Sequence, residues 1–241
     1  MEACIRLFGD RREAGRVLAN YVCSAVKQGE PLVLALPRGG VPVGAEVAEA
    51  LHAPLDVFVV RKLGTPDQEE LGFGAVATGG TRILNRELID YLHLSDEVIQ
   101  RVTEREQKEV ERREQLYRQG RTPIAVEGRT LVLVDDGLAT GASMLAAVRA
   151  LRAQGAGRII VAVPVAARST CDEFRKEGVD VICTATPHPF GAVGIWYEDF
   201  AEVSDEDVQK LLEAATLNWQ CWSAGDKGRS RGPMGTAAGS E

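Results

Sequence analysis

Leu131-Val132-Leu133-Val134-Asp135-Asp136-Gly137-Leu138-Ala139-Thr140-Gly141-Ala142-Ser143 is the stretch whose reading decides the fold. Four aliphatic residues in a row suit a parallel strand covered on both faces. The two carboxylates follow where such a strand meets solvent, and there they can accept hydrogen bonds from the vicinal hydroxyls of a sugar. Next come two hydroxyl side chains, small residues and a glycine, ahead of a helix. A loop of this kind turns backbone N–H groups inward, and the helix N-terminus behind it favours negative charge. Sugar-holding acids beside an anion cradle describe a receptor for a ribose 5-phosphate. The loop lacks the G-x-G-x-x-G of dinucleotide folds and the lysine of a Walker loop. A phosphoacceptor aspartate would account for the acids but not for Thr-Gly-Ala-Ser. The competing reading is an ordinary strand–turn–helix with an aspartate near the N-cap.

A second cradle lies upstream. Residues 31–36 form a short apolar strand, 43–51 a helix and 55–60 another strand, a βαβ unit that predicts a parallel sheet. Between the first strand and the helix stands Pro37-Arg38-Gly39-Gly40. Gly39 and Gly40 allow close backbone approach to an anion, and Arg38 offers planar charged donors. Arg61 and Lys62 close the next predicted strand, beside a polar, turn-rich stretch, 63–73. At such a strand end a lysine can meet phosphate charge, or the pair can simply snorkel at the surface. Gly79-Gly80 between 74–78 and 82–84 signals a hairpin.

The rest of the pattern is α/β. Asp10 and Glu13 read as a capping box opening the first helix. Strands are expected at 158–163 and 179–185, a helix at 169–176, and a last helix from Ser204 to about Leu217. Residues 223–241 carry no apolar periodicity and are expected to be a disordered tail. Residues 95–119 predict a long charged helix with acid-before-base pairs Glu97–Arg101, Glu104–Lys108, Glu109–Arg113 and Glu114–Arg118. Its apolar stripe is thin. It serves either as an arm for contacts in a homodimer or a cover over the site, or it is a solvated surface helix.

Composition sets limits. The chain has 241 residues, 45% hydrophobic and 26% charged, with a net charge of −7. That balance opposes nucleic-acid binding, which needs a basic surface, so a polyanionic small molecule must be held by local groups. No apolar run reaches membrane-spanning length, and the first residues lack a leader pattern, so a cytoplasmic location is expected. The five cysteines are scattered without metal-type spacing and read as free thiols.

The 131–143 run resembles the ribose-phosphate signature of the type I phosphoribosyltransferases, and 36–44 resembles their pyrophosphate loop. Asp10–Arg16, Pro37–Pro42, Arg61–Gly64, Glu70–Ala77 and Trp196–Phe200 are similar to stretches of one bacterial branch of that family. Thr78 departs from that branch, where an acid is common. The resemblance implies an α/β fold with a central, mostly parallel sheet flanked by helices. It implies one domain over 1–222, with a flexible loop at 61–73, a helical insertion at 95–119 and a small hood at 186–200. It implies Mg²⁺-dependent transfer of ribose 5-phosphate from phosphoribosyl pyrophosphate (PRPP) to a nitrogenous, nucleobase-type acceptor, as in nucleotide salvage.

By the same resemblance, Asp135 and Asp136 hold the ribose and reach the metal directly or through water. Ala139, Thr140, Gly141, Ala142 and Ser143 hold the 5-phosphate. Arg38, Gly39, Gly40, Arg61 and Lys62 hold the pyrophosphate, with Lys62 also counted as catalytic. A non-proline cis peptide is expected at Arg38–Gly39. Phe190, Trp196 and Tyr197 are the acceptor-pocket candidates, although Trp196 also reads as core filling. His188, between prolines, is a candidate base or a bystander. Two rival functions stand beside the transferase: a PRPP sensor without turnover, and a sugar-phosphate hydrolase.

Overall fold

The computed structural model describes residues 7–26, 29–65 and 71–229. In chain order the elements are α1 (Arg11–Ala25), β1 (Leu32–Ala35), α2 (Gly40–Leu51), β2 (Leu55–Val57), β3 (Val60–Gly64), β4 (Gly72–Ala77), β5 (Thr81–Leu84), α3 (Arg86–Tyr91), α4 (Asp96–Arg118), β6 (Thr130–Val134), α5 (Ala142–Ala153), β7 (Arg158–Val165), α6 (Arg168–Lys176), β8 (Asp180–Ala185) and α7 (Asp205–Arg229). Five strands form a parallel sheet in the order β2-β1-β6-β7-β8, and β3-β4-β5 form a small antiparallel sheet.

Both faces of the large sheet are covered, which is why its central strands read as unbroken aliphatic runs. Val33, Ala35, Val132 and Val134 face a core shared with α1, α2, α4 and α7. Leu32, Leu34, Leu131 and Leu133 face the other core, with α5 and α6. The alternation is the two-residue period of a strand. Helix α1 packs on α2 at a close crossing: a Cβ on Gly15 would lie 2.9 Å from the Val43 carbonyl oxygen and from Cβ of Glu46.

Three sequence expectations change here. The predicted strand 55–60 is two strands in two sheets. The Phe58 N–H still donates to Ala35 O in the large sheet, at 3.0 Å, but Val59 exchanges hydrogen bonds with Thr78 of the hairpin. The four apolar residues in a row from Val57 to Val60 carry no mark of where the pairing partner changes. Arg61 and Lys62 therefore lie inside β3 and do not end a parallel strand. The strands β3 and β4 take up both ends of the expected loop 61–73, at 61–64 and 72–73, and residues 66–70 lie outside the described residues. The last helix runs to Arg229, past the expected end at Leu217. Its extension seats Trp222 in a stack on His52 of the α2 cap, ring centroids 4.3 Å apart, a contact with no helical period to announce it. The expected disordered tail 223–241 is thus helical over 223–229, and 230–241 lie outside the described residues.

Helix α4 fits neither half of its predicted alternative cleanly. Ser95 caps it, and Ile99, Val102, Val110 and Tyr117 are buried against neighbouring elements, leaving only its outer face solvated. Its last-turn Arg118 is not a surface partner of Glu114 alone. It also donates to Asp56 at 2.9 Å and to Val57 O at 2.9 Å, with both Arg118 and Asp56 buried. No helix among the described residues is long and apolar enough to cross a membrane.

The buried and exposed ion pairs should respond differently to truncation. Asp56→Ala leaves a buried guanidinium short of its partner and is expected to cost about 3–5 kcal/mol in urea unfolding. Breaking the exposed Arg158–Asp180 pair by Arg158→Ala should cost less than about 1 kcal/mol.

Candidate active site

Strands β1 and β6 pair in register, Ala35 opposite Val134. The loops that leave their C-terminal ends are therefore neighbours, and a backbone hydrogen bond ties them. The Leu36 N–H donates across to Val134 O at 2.9 Å, and within the loop after β1 the Gly40 N–H donates to Leu36 O at 3.0 Å. The contact is so close that it admits no side chain at either glycine. A Cβ on Gly39 would overlap the Asp136 carboxylate, lying 2.8 Å from its Cγ; one on Gly40 would lie 2.9 Å from Cα of Asp135. The non-proline cis peptide falls at Pro37–Arg38, one bond earlier than expected. Gly39 is already in the right-handed helical region as it enters α2 (φ −60°, ψ −33°), so the loop has turned before reaching it.

The two acids differ in their surroundings. Asp135 folds back to accept from the Asp136 N–H at 2.9 Å. Burial, then the charge of Asp136, pushes its carboxyl well above the usual carboxylate range. Asp136 is also pushed up by burial, but the Arg11 guanidinium opposes the shift through a 2.8 Å hydrogen bond from Nε. The hydroxyl of Tyr197 donates to the Asp136 carbonyl oxygen at 2.5 Å.

The 139–143 loop is pinned from behind. Thr170 Oγ1 donates to Ala139 O at 2.5 Å, and Gly141 (φ +72°) packs where a Cβ would meet Phe174 and Thr170 at 2.7 and 2.8 Å. Gly141 gives α5 no side-chain cap, so the first-turn N–H groups remain for another acceptor. Lys62 and Arg61, adjacent on β3, diverge as strand neighbours must. Arg61 donates to Glu106 of α4 at 2.9 Å and is not brought to the site. Lys62 lines a cavity of about 360 Å³ together with Thr140, Ala142, Ser143, Asn85 and Arg149. Arg38 stands beside the glycine loop, paired with Glu202 and, at 3.7 Å, with Asp205.

Two of the three residues assigned to the acceptor pocket are drawn into a core, and Phe190 lies partly buried against it. Trp196 and Tyr197 are buried in a small core with Phe8, Ala14 and Val165. The indole N–H of Trp196 donates to Phe190 O at 3.0 Å, and the Phe190 ring packs on the indole at 6.4 Å. Tyr197 is a strut under Asp136. Their aromatic faces are spent on packing, which a sequence pattern could not separate from stacking on a ligand. Arg11 is the residue that the sequence reading left without a role. One signal was present: a cation in the first turn of a helix opposes the helix dipole, and a pattern that places one there invites a search for its partner.

A model of the phosphoribosyl transferase domain matches residues 11–197. The chain belongs to the phosphoribosyltransferase family. The fold is the type I phosphoribosyltransferase fold, with its parallel five-stranded sheet between helices. This family member is 44% identical over 211 residues to a Mycobacterium tuberculosis protein named "Putative phosphoribosyl transferase". That match takes in 88% of this chain and 47% of the relative, so the chain spans about half the length of the curated relatives it matches. A ribose-phosphate pyrophosphokinase of Methanopyrus kandleri is 45% identical over 76 residues, 30% of this chain and 26% of that one. The crystal structure of TT1426 from Thermus thermophilus superposes with a TM-score of 0.76 at 42% identity, covering 86% of this chain and 98% of that one.

The raised carboxyl of Asp135 has a measurable sign. An acid whose pKa rises on folding binds more protons in the native state than in the unfolded chain, so stability falls as pH rises through that window. Asp135→Asn is uncharged and still accepts the Asp136 N–H. In metal-free buffer it should unfold at higher urea than the parent near pH 7, with the difference shrinking to nothing below the ordinary carboxyl range. Gly39→Ala must displace the Asp136 carboxylate and is expected to cost about 1–3 kcal/mol in the same measurement.

Proposed function

We propose that the chain binds PRPP with Mg²⁺ and transfers ribose 5-phosphate to a nitrogenous acceptor, releasing pyrophosphate. One observation carries the reading. The Gly39–Gly40 turn lies directly on Asp135 and Asp136, with the uncapped N-terminus of α5 a few residues further along the same loop. Two anion-accepting backbones thus flank a carboxylate pair, the order of groups along PRPP: pyrophosphate, ribose hydroxyls, 5-phosphate.

In this reading Asp135 and Asp136 accept hydrogen bonds from the ribose hydroxyls. Backbone amides and hydroxyls from Ala139 to Ser143 receive the 5-phosphate on the α5 dipole. Gly39 and Gly40 let the pyrophosphate approach the backbone of the turn closely, Arg38 exchanges its carboxylate partners for phosphate oxygens, and Lys62 adds charge from the hairpin. Transfer at an anomeric carbon passes through an oxocarbenium-like state, so the residues' task is orientation and fixed charge. The hairpin β3–β4 stands beside the cradle and would exclude water, which competes with the acceptor.

The donor set suits magnesium: two adjacent carboxylates are hard oxygen ligands, and their raised proton affinity is the electrostatic load that a cation relieves. Asp135 and Asp136 would hold it, directly or through water, and when bound it would neutralise charge on the leaving pyrophosphate.

Asp135→Asn with Asp136→Asn should weaken Mg²⁺-PRPP binding by about two to four orders of magnitude in titration calorimetry, since hydrogen bonds to charged groups are worth ~1.5–3 kcal/mol each. Unchanged affinity would remove the sugar contact from the proposal. A second reading, a sensor without turnover, draws on the burial of Trp196 and Tyr197, which removes two aromatic faces from any acceptor pocket. Pyrophosphate release across a panel of nitrogenous bases separates the two. Turnover with one base supports the transferase; saturable PRPP binding without turnover supports the sensor; release without any base indicates hydrolysis.

A further inference from the structure

Arg11 sits where three segments meet. Asp10 caps α1 by accepting from the Glu13 N–H at 2.7 Å, which makes Arg11 the first helical residue. The chain before it runs beside the chain after Trp196. The Phe8 N–H donates to Trp196 O at 3.1 Å, and the N–H groups of Glu198 and Asp199 donate to Phe8 O and Gly9 O, each at 2.8 Å. From that anchored start the Arg11 guanidinium uses both edges and a face. Nε donates to Asp136 Oδ2 at 2.8 Å, Nη1 donates to Ala201 O at 2.7 Å, and the plane lies over the Phe200 ring at 3.8 Å.

This is not the behaviour of a surface charge. The Arg11 side chain is 11% exposed and that of Asp136 15%, whereas Arg12, one residue on, is 61% exposed and turns to Glu46 of α2. A cation in the first turn of a helix gains nothing from that helix's dipole, so its partner must supply the gain. The partner is one of the two site acids. The Asp136 main chain is held as well, by the Tyr197 hydroxyl, so the residue is fixed at both ends. Gly39 faces the same carboxylate and lies 3.4 Å, by its would-be Cβ, from Arg11 Nε. Arg11, Asp136 and the glycine turn therefore share one point of the molecule.

We infer that Arg11 is a positioning residue: it ties Oδ2 of Asp136 to the protein, leaves Oδ1 to face the sugar hydroxyls, and fastens residues 200–201 beside the glycine turn. The inference rests on the PRPP reading above. Lysine cannot reproduce the arrangement. A single ammonium can replace one of the two edge hydrogen bonds but not the planar stack. Groups that orient the residues contacting a bound ion or ligand commonly change affinity ten- to hundredfold when removed.

The test is a double-mutant cycle on the full chain, read by calorimetric titration with PRPP and Mg²⁺, with urea midpoints recorded for every variant. Arg11→Met keeps the length and stem of the side chain and should weaken PRPP ten- to hundredfold; Arg11→Lys should fall between it and the parent. In an Asp136→Ala background, Arg11→Met should cost no more than about a further twofold, because the carboxylate it orients is gone. Parent-like affinity of Arg11→Met overturns the inference while leaving the PRPP reading intact. So does an equal loss in the Asp136→Ala background, which would mark Arg11 as a general staple. Where Arg11→Met fails to fold, Arg11→Lys in both backgrounds gives the same decision. A parent protein that does not bind PRPP overturns the PRPP reading and this inference with it.

Discussion

The parallel pairing of β1 with β6 is the constraint on which the site depends. Ala35 opposite Val134 brings two loops to one edge of the sheet, although about a hundred residues of chain separate them. Parallel strands send their chains off in the same direction, so the turn after β1 and the acids after β6 emerge side by side. Glycine at 39 and 40 then lets them touch. A shift of register by one residue would move Asp135 and Asp136 away from the turn and reverse which aliphatic residues face each core. The two cores that clamp the strands are thus also what holds the site in register.

Around that edge the molecule accepts unfavourable electrostatics in exchange for geometry. Two consecutive carboxylates are drawn out of water: burial pushes both up, and the charge of Asp136 adds to the rise of Asp135. Arg11 relieves one of them, set into the first turn of a helix where a cation is otherwise unwelcome. Arg38 balances two acids of the 202–205 segment. Local rules broken together at one place, with each breach compensated by a neighbour, are what a ligand site looks like in a sequence otherwise consistent with its fold.

Much of the architecture was legible because it rests on short-range patterns. Short aliphatic runs named the buried strands, and Asp10 and Ser204 named two helix starts. The Gly79-Gly80 pair named the hairpin. What was missed depends on partners far along the chain. Phe58 and Val59 are as apolar as Leu55, so nothing local says that pairing passes from Ala35 to Thr78. Trp222 stacks on His52 across about 170 residues, and no periodicity could extend α7 to meet it. Arg61 and Lys62 are alike in sequence, yet the strand pleat sends one to Glu106 and the other to the cavity lined by Thr140 and Ser143.

The sequence by itself determined the chemical inventory: a carboxylate pair after a buried strand, a small-residue loop before a helix, and a glycine turn with its arginine. Those are contiguous motifs, and their meaning follows from neighbouring residues alone. Only the tertiary structure decided which outlying side chains join them. It drew Arg11 and Tyr197 onto Asp136, withdrew Trp196 into a core and turned Arg61 away. Such choices are made by packing between segments distant in the chain, where the free energy belongs to the contact and neither residue carries it alone.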